Sequence, residues 1–350
     1  MLKGQATASG SREGCCSKCC SCCGPLCRYI CIGCIGLSMF LVLPFSLMEW
    51  GCSRWQNAWI NDVYKKTKVA ETKLGPVGYH IIGSAPYVLQ IHGQMGTSEQ
   101  VIIPELVNPW RNAGFGIIAP NRPGYRNTPL NSARTMAEQA DLFAALLDEL
   151  GVDKVVVNGG SAGGPSSIQF AARYPHRTRC LLLTVAITGT KNEGPGSPAA
   201  GINPDGTWPL SLQIVFRVAK DPITGWLMWQ SLKTPDGAID GALGELSNFT
   251  AEEKAREKER IRKNSTTLSM VMKLMKGTVP LATTWDGTVN DVVQFSNLTL
   301  PLAKIKCPTL LAYGKHDNPD SGVPIRMAYN AHERIPHSEM MILQDGWRLL

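Results

Sequence analysis

The run KVVVNGGSAGGPSS, beginning at Lys154, constrains this chain more than any other stretch. Val155, Val156 and Val157 are β-branched in succession, so the strand they form needs apolar cover on both faces. Gly159-Gly160-Ser161-Ala162-Gly163 fits G-x-S-x-G between that strand and a helix. The chain must turn sharply there, with neighbouring backbone too close to admit a Cβ. Such a turn lifts the Ser161 hydroxyl above the sheet and aims the next helix's N-terminus at a developing oxyanion. The context points to Ser161 as a nucleophile; the alternative is a plain Gly-rich turn.

The flanking text repeats the style of that strand. YVLQIHG, GFGIIAP, CLLLTVA, PTLLAYG and EMMIL are short apolar runs ended by turns or polar loops. Between them, Thr135 and Glu138 form a capping box for a helix with Leu142, Phe143, Leu146, Leu147 and Leu150 at helical spacing, stopped by Gly151. The alternation predicts an α/β fold: a mostly parallel, doubly wound sheet with helices on both faces. From about 189 to 299 strand signals fade and helical stretches take over, so a helical insertion over the sheet is expected there. Within it, Thr250 and Glu253 cap EEKAREKERIRK, whose mixed signs describe a solvated helix face. The net charge is only +7, with Lys and Arg scattered, which argues against a nucleic-acid partner. Met270, Met272 and Met275 read as a packing face rather than a thioether metal site.

A serine nucleophile needs an oxyanion hole and an oriented base. IHGQMG supplies the loop after an earlier strand, so the backbone N–H of Gln94 is the expected donor beside that of Ala162. His92 in the same loop reads as structural. Asp317, in the loop after PTLLAYG, is the expected acid, with Asp320 as the alternative.

The N-terminus reads differently. Of 12 cysteines, ten lie before position 53, and only Cys180 and Cys307 fall in the rest. A disulfide framework would spread through a folded domain, and zinc sites need a more regular spacing. The cluster runs into Tyr29–Met48, a stretch without a charge, long enough at ~1.5 Å per residue for a ~30 Å bilayer core. Residues 1–28 therefore read as a Cys-rich, palmitoylated segment, 29–48 as a transmembrane span or anchor, 49–68 as a linker and 69–350 as the folded domain. The alternatives are a cleaved signal peptide and a hairpin turned at Pro44. Basic residues flank both sides of the span and leave its orientation open, while sequons at Asn248, Asn264 and Asn297 suit a lumenal domain.

From Val69 to Leu343 the chain resembles the α/β-hydrolase superfamily. GPVGYHIIGSAPYVLQIHG, GFGIIAPNRPGYRNTP, NGGSAGGPSSIQFAARYP and CPTLLAYGKHD are similar to its blocks, in its order. The resemblance implies a serine hydrolase with a helical lid after the sixth strand, no cofactor and a small acyl substrate. Asn121 and Arg126 stand where many members have Asp and Gly. The family's histidine follows a glycine after the last strand; here Trp347 follows Gly346, and the family's closing helix is absent. The general base is thus not found. Three readings stay open: a hydrolase whose C-terminus is incomplete, a membrane-tethered pseudoenzyme that binds or regulates, and an enzyme with another base.

Overall fold

The computed structural model describes residues 25–189, 214, 218, 220–243, 250–314, 323 and 325–343, with side chains from 43 onward. They fall into two compact units divided between Gly51 and Cys52. Most of the Cys-rich segment lies outside the described residues. Helix α1 (Pro25–Lys66) carries the apolar run Tyr29–Met48, most of which precedes the first described side chain. No helix among the described residues is long and apolar enough to cross a membrane.

The stretch expected as a linker is helical as far as Lys66. Trp55 and Trp59 lie four residues apart, on one face of α1. Both pack on Trp229, with ring centroids 5.1 and 6.0 Å away. That aromatic contact gives the segment a reason to be ordered that its own sequence does not display.

The second unit holds an eight-stranded sheet in the order β1-β2-β4-β3-β5-β6-β7-β8. The strands are β1 (Lys68–Thr72), β2 (Gly75–Ile82), β3 (Tyr87–Ile91), β4 (Gly116–Pro120), β5 (Val155–Gly160), β6 (Thr178–Thr184), β7 (Thr309–Gly314) and β8 (Ser338–Leu343). Pairings of β2 with β1 and with β4 are antiparallel, and the remaining ones are parallel. The central strands bury both faces by alternation. Leu89, Ile118, Val155 and Val157 enter the main core, whereas Val88, Ile117, Ala119 and Val156 enter a second core on the other face.

Helices cover the two layers. Helix α2 (Ser98–Val101) and helix α3 (Pro104–Asn112) follow β3, and α4 (Met136–Glu149) and α5 (Gly164–Arg173) flank β5. The expected capping box opens α4: Thr135 Oγ1 accepts from the Glu138 N–H at 3.2 Å, and the Glu138 carboxylate accepts from the Thr135 N–H at 2.8 Å. Such a cap contributes about 1 kcal/mol. Gly151, at φ 63°, takes the left-handed conformation after the helix ends.

Between β6 and β7 the described helices are α6 (Pro222–Ser231), α7 (Pro235–Leu243), α8 (Ala251–Lys263), α9 (Ser265–Gly277) and α10 (Trp285–Ser296). Ala238, Ile239, Ala242, Leu243, Ile261 and Val271 give this insertion its own apolar cluster, with Met272 and Met275 packed against it. Helix α11 (Ile325–Arg334) leads into β8.

Candidate active site

Strand register fixes where a site is built. Ile91 pairs with Gly159, and Gly160 pairs with Thr184, which pairs with Ala312. Gly314 pairs with Leu343, the last residues of two parallel strands. The carboxyl ends of β3, β5, β6, β7 and β8 therefore lie at one end of the sheet, where parallel α/β sheets gather their functional groups.

Ser161 stands at the head of this row, on a single 3-10 turn, Ser161–Gly163, that joins β5 to α5. Its φ is 50°, in the left-handed region, which costs a non-glycine residue about 1–2 kcal/mol. The packing around it maintains that strain. A Cβ at Gly163 would stand 2.6 Å from the Ile91 carbonyl oxygen and 2.7 Å from that of His92. A Cβ at Gly93 would stand 3.0 Å from Ser161 Cβ. The Ser161 carbonyl is in turn fixed by the Ile187 N–H at 2.8 Å. Nothing larger than glycine fits at Gly163 while β3, the turn and α5 keep their spacing.

Ala162 is fully buried in that turn, and Gln94 lies exposed in the facing loop. The Gln94 side chain is tied to α10, its Nε2 donating to the Thr288 carbonyl at 3.2 Å. Asp317, Asp320 and Trp347 lie outside the described residues.

His92 is built into the scaffold. Its Nδ1–H donates to the Gly93 carbonyl at 2.8 Å, and Nε2 accepts from the Arg122 N–H at 2.9 Å. Burial, reinforced by the Arg122 charge, pushes the imidazole down to about 3. Both ring nitrogens are engaged and the ring is neutral across the ordinary pH range. His80 and His332 are paired through Nδ1 with Ser98 Oγ and Ser338 Oγ, each at 2.9 Å. His176 and His337 lie just before β6 and β8, at the opposite end of the sheet from Ser161.

Beneath the loop after β4 sits a buried polar network that the sequence does not announce. Arg122 Nη1 donates to Asp291 Oδ2 at 2.9 Å, Nη2 donates to Oδ1, and the Tyr125 hydroxyl donates to Oδ2 at 2.6 Å. Arg122 Nε donates to Gln139 Oε1 at 3.3 Å. Both partners of the ion pair are buried, Arg122 fully. Burial pushes the Asp291 carboxyl up, opposed by the Arg122 charge and its hydrogen bonds. Asn121 Oδ1 accepts from the Ser98 N–H at 2.8 Å and so aligns α2. The only advance signal was an arginine inside the turn-rich NRPGYRNTP. Among the described residues, no group of three or more His, Cys, Asp or Glu is placed to hold a metal ion.

Residues 86–218 match the family model described as alpha/beta hydrolase fold. An uncharacterized hydrolase, YcgS, of Bacillus subtilis is 24% identical over 278 residues, covering 79% of this chain and 89% of its own. The 2-hydroxy-6-oxo-6-phenylhexa-2,4-dienoate hydrolase of Burkholderia cepacia is 27% identical over 219 residues, 60% of this chain and 64% of that protein. Among solved structures, an alpha/beta hydrolase fold protein from Nakamurella multipartita superposes with a TM-score of 0.64 at 26% identity. That match covers 81% of this chain and 92% of the other.

Proposed function

The chain belongs to the α/β-hydrolase superfamily, and from that premise we propose that it hydrolyses carboxylic esters or related acyl compounds through Ser161. Ser161 Oγ attacks the acyl carbon while its proton passes to a base. The N–H groups of Ala162 and Gln94 hold the oxyanion, the alcohol leaves, and water then releases the acid from the acyl-enzyme. Asp317, or Asp320, orients the base. No cofactor is needed.

One observation supports this reading above the rest: Ser161 is held left-handed at the strand–helix turn by backbone that admits only glycine at position 163. Strain of this kind concentrates at functional sites. A second reading, a binding or regulatory protein with an impaired site, draws on the histidines. Among the described residues each one is engaged elsewhere or lies at the far end of the sheet. Loss of a triad base costs on the order of 10⁴- to 10⁶-fold in turnover, so the distinction is large.

Fluorophosphonate labelling of the purified chain decides between them. Ser161 should be modified, and Ser161→Ala should abolish the label; no label at high probe concentration sides with the impaired site. The substrate panel should hold simple esters together with 2-hydroxy-6-oxo-dienoates, the compounds named for the Burkholderia relative.

The Cys-rich N-terminus and the apolar run Tyr29–Met48 favour attachment to membrane lipid, with palmitoylation of the cysteines. The full chain is expected to stay with membranes through an alkaline carbonate wash, and residues 52–350 alone to be released. Release of both would remove the anchor from this reading.

A further inference from the structure

The insertion returns to the sheet through the end of α9 and the segment before α10, and side chains from two core loops grip that return. Gln100, from α2, donates through Nε2 to the Leu274 carbonyl in α9. The same side chain turns its Oε1 to the Thr97 N–H at 2.9 Å, closing the loop that carries Gln94. Arg126, from the loop after β4, donates through Nη2 to the carbonyls of Gly277 at 2.9 Å and Val279 at 3.3 Å. Its Nη1 donates to Thr283 Oγ1, and its own N–H donates to the Thr283 carbonyl at 2.6 Å. Gln94 reaches just past the return segment, to the Thr288 carbonyl in the first turn of α10.

The energetics favour a fixed arrangement. Arg126 and Gln100 are each only 8% exposed, and protein carbonyls and a hydroxyl meet the two Arg126 Nη groups and the Gln100 amide. Among the described residues, Arg126 Nε is buried without a hydrogen bond. The carboxylate of Glu99, 3.7 Å from Arg126 Nε, supplies the opposing charge. The C-terminal carbonyls of α9 carry the negative end of its dipole, which a cation stabilises. Arg126 has φ 51°, the conformation a glycine would take without cost. The side chain, rather than the backbone, is therefore what this position adds.

We propose that Arg126 and Gln100 are positioning residues that clamp the return of the helical insertion to the oxyanion loop, so that the two are set as one unit. The role in catalysis rests on Ser161 being the nucleophile; the mechanical coupling does not. In a lidded hydrolase of this kind, displacement of the insertion would then loosen the loop that carries the Gln94 donor and slow the chemical step without weakening binding.

Hydrogen exchange of the full chain reads the coupling directly. Arg126→Gly and Gln100→Met are each expected to speed exchange about tenfold in residues 274–284 and also in 94–97, with residues 142–157 unchanged as the control for global opening. Faster exchange in 274–284 with 94–97 at the native rate overturns the clamp. If Arg126→Gly does not fold, Arg126→Lys, which keeps the charge and loses the fork, carries the same comparison with a smaller effect.

Fluorophosphonate inactivation supplies the second readout. The maximal inactivation rate should fall about tenfold in Gln100→Met with the probe's half-saturating concentration within twofold, because a displaced oxyanion donor acts on the transition state. An unchanged maximal rate in both variants also overturns the clamp. A native chain that takes no label removes the Ser161 reading, and the exchange comparison still decides the coupling.

Discussion

His92 is a histidine that folding keeps from titrating. In the unfolded chain its imidazole protonates near 6.5, whereas in the native chain burial and the Arg122 charge hold it at about 3. Between those values the unfolded state binds the extra proton. The stabilisation is therefore complete above pH 6.5 and is lost as pH falls toward 3. The native chain should lose about 2 kcal/mol between pH 7 and pH 5 from this residue, read as a falling urea midpoint. His92→Gln, which keeps a polar planar group without a titration, should flatten that part of the profile. An equally steep fall in the variant would assign the pH dependence to other groups. The same locked ring explains why a histidine only two residues from Gln94 is a strut for Arg122 and Gly93.

At the scale of elements, Arg122 and Asp291 join the loop after β4 to α10 across a sequence separation of 169 residues. Removing one partner leaves a buried charge or its polar partners unmatched, so Asp291→Leu or Arg122→Met should each cost about 3–5 kcal/mol in denaturant unfolding. The double variant Arg122→Met with Asp291→Leu should recover part of that loss, and strict additivity would deny the coupling. This pair also shows where reading the sequence stops. The strands from β3 to β8 and the α4 cap were legible, because β-branched runs and Thr135 with Glu138 act through near neighbours. Ser161 was legible for the same reason: its turn is built from adjacent glycines. Asp291 offers no local sign, since an acid on an amphipathic helix usually faces water. Trp55 and Trp59 likewise look like linker residues until Trp229 is brought beside them. Arg126 stood out only as a charge where the resembled family has glycine, and its partners at Gly277, Val279 and Thr283 are all distant.

Across the whole molecule, the sheet ends in two strands of unlike character, β1 and β8. Strand β1 exposes Lys68 and Glu71 on either side of a single exposed apolar residue, Val69, and the neighbouring Lys73 forms an ion pair with Asp148 at 3.7 Å. Strand β8 alternates half-buried and exposed positions, showing Met341 at 49% and Leu343 at 42% beside Glu339 on its exposed face. Charge along an edge discourages pairing with another chain, and an apolar edge invites it. Concentrated solutions should accordingly scatter light through contacts at β8, and Met341→Lys should lower that scattering with little change in the melting temperature. Two exposed charges on β1 against one on β8 give the sheet a polarity of a second kind, unrelated to catalysis: one edge is better guarded against a neighbouring chain than the other.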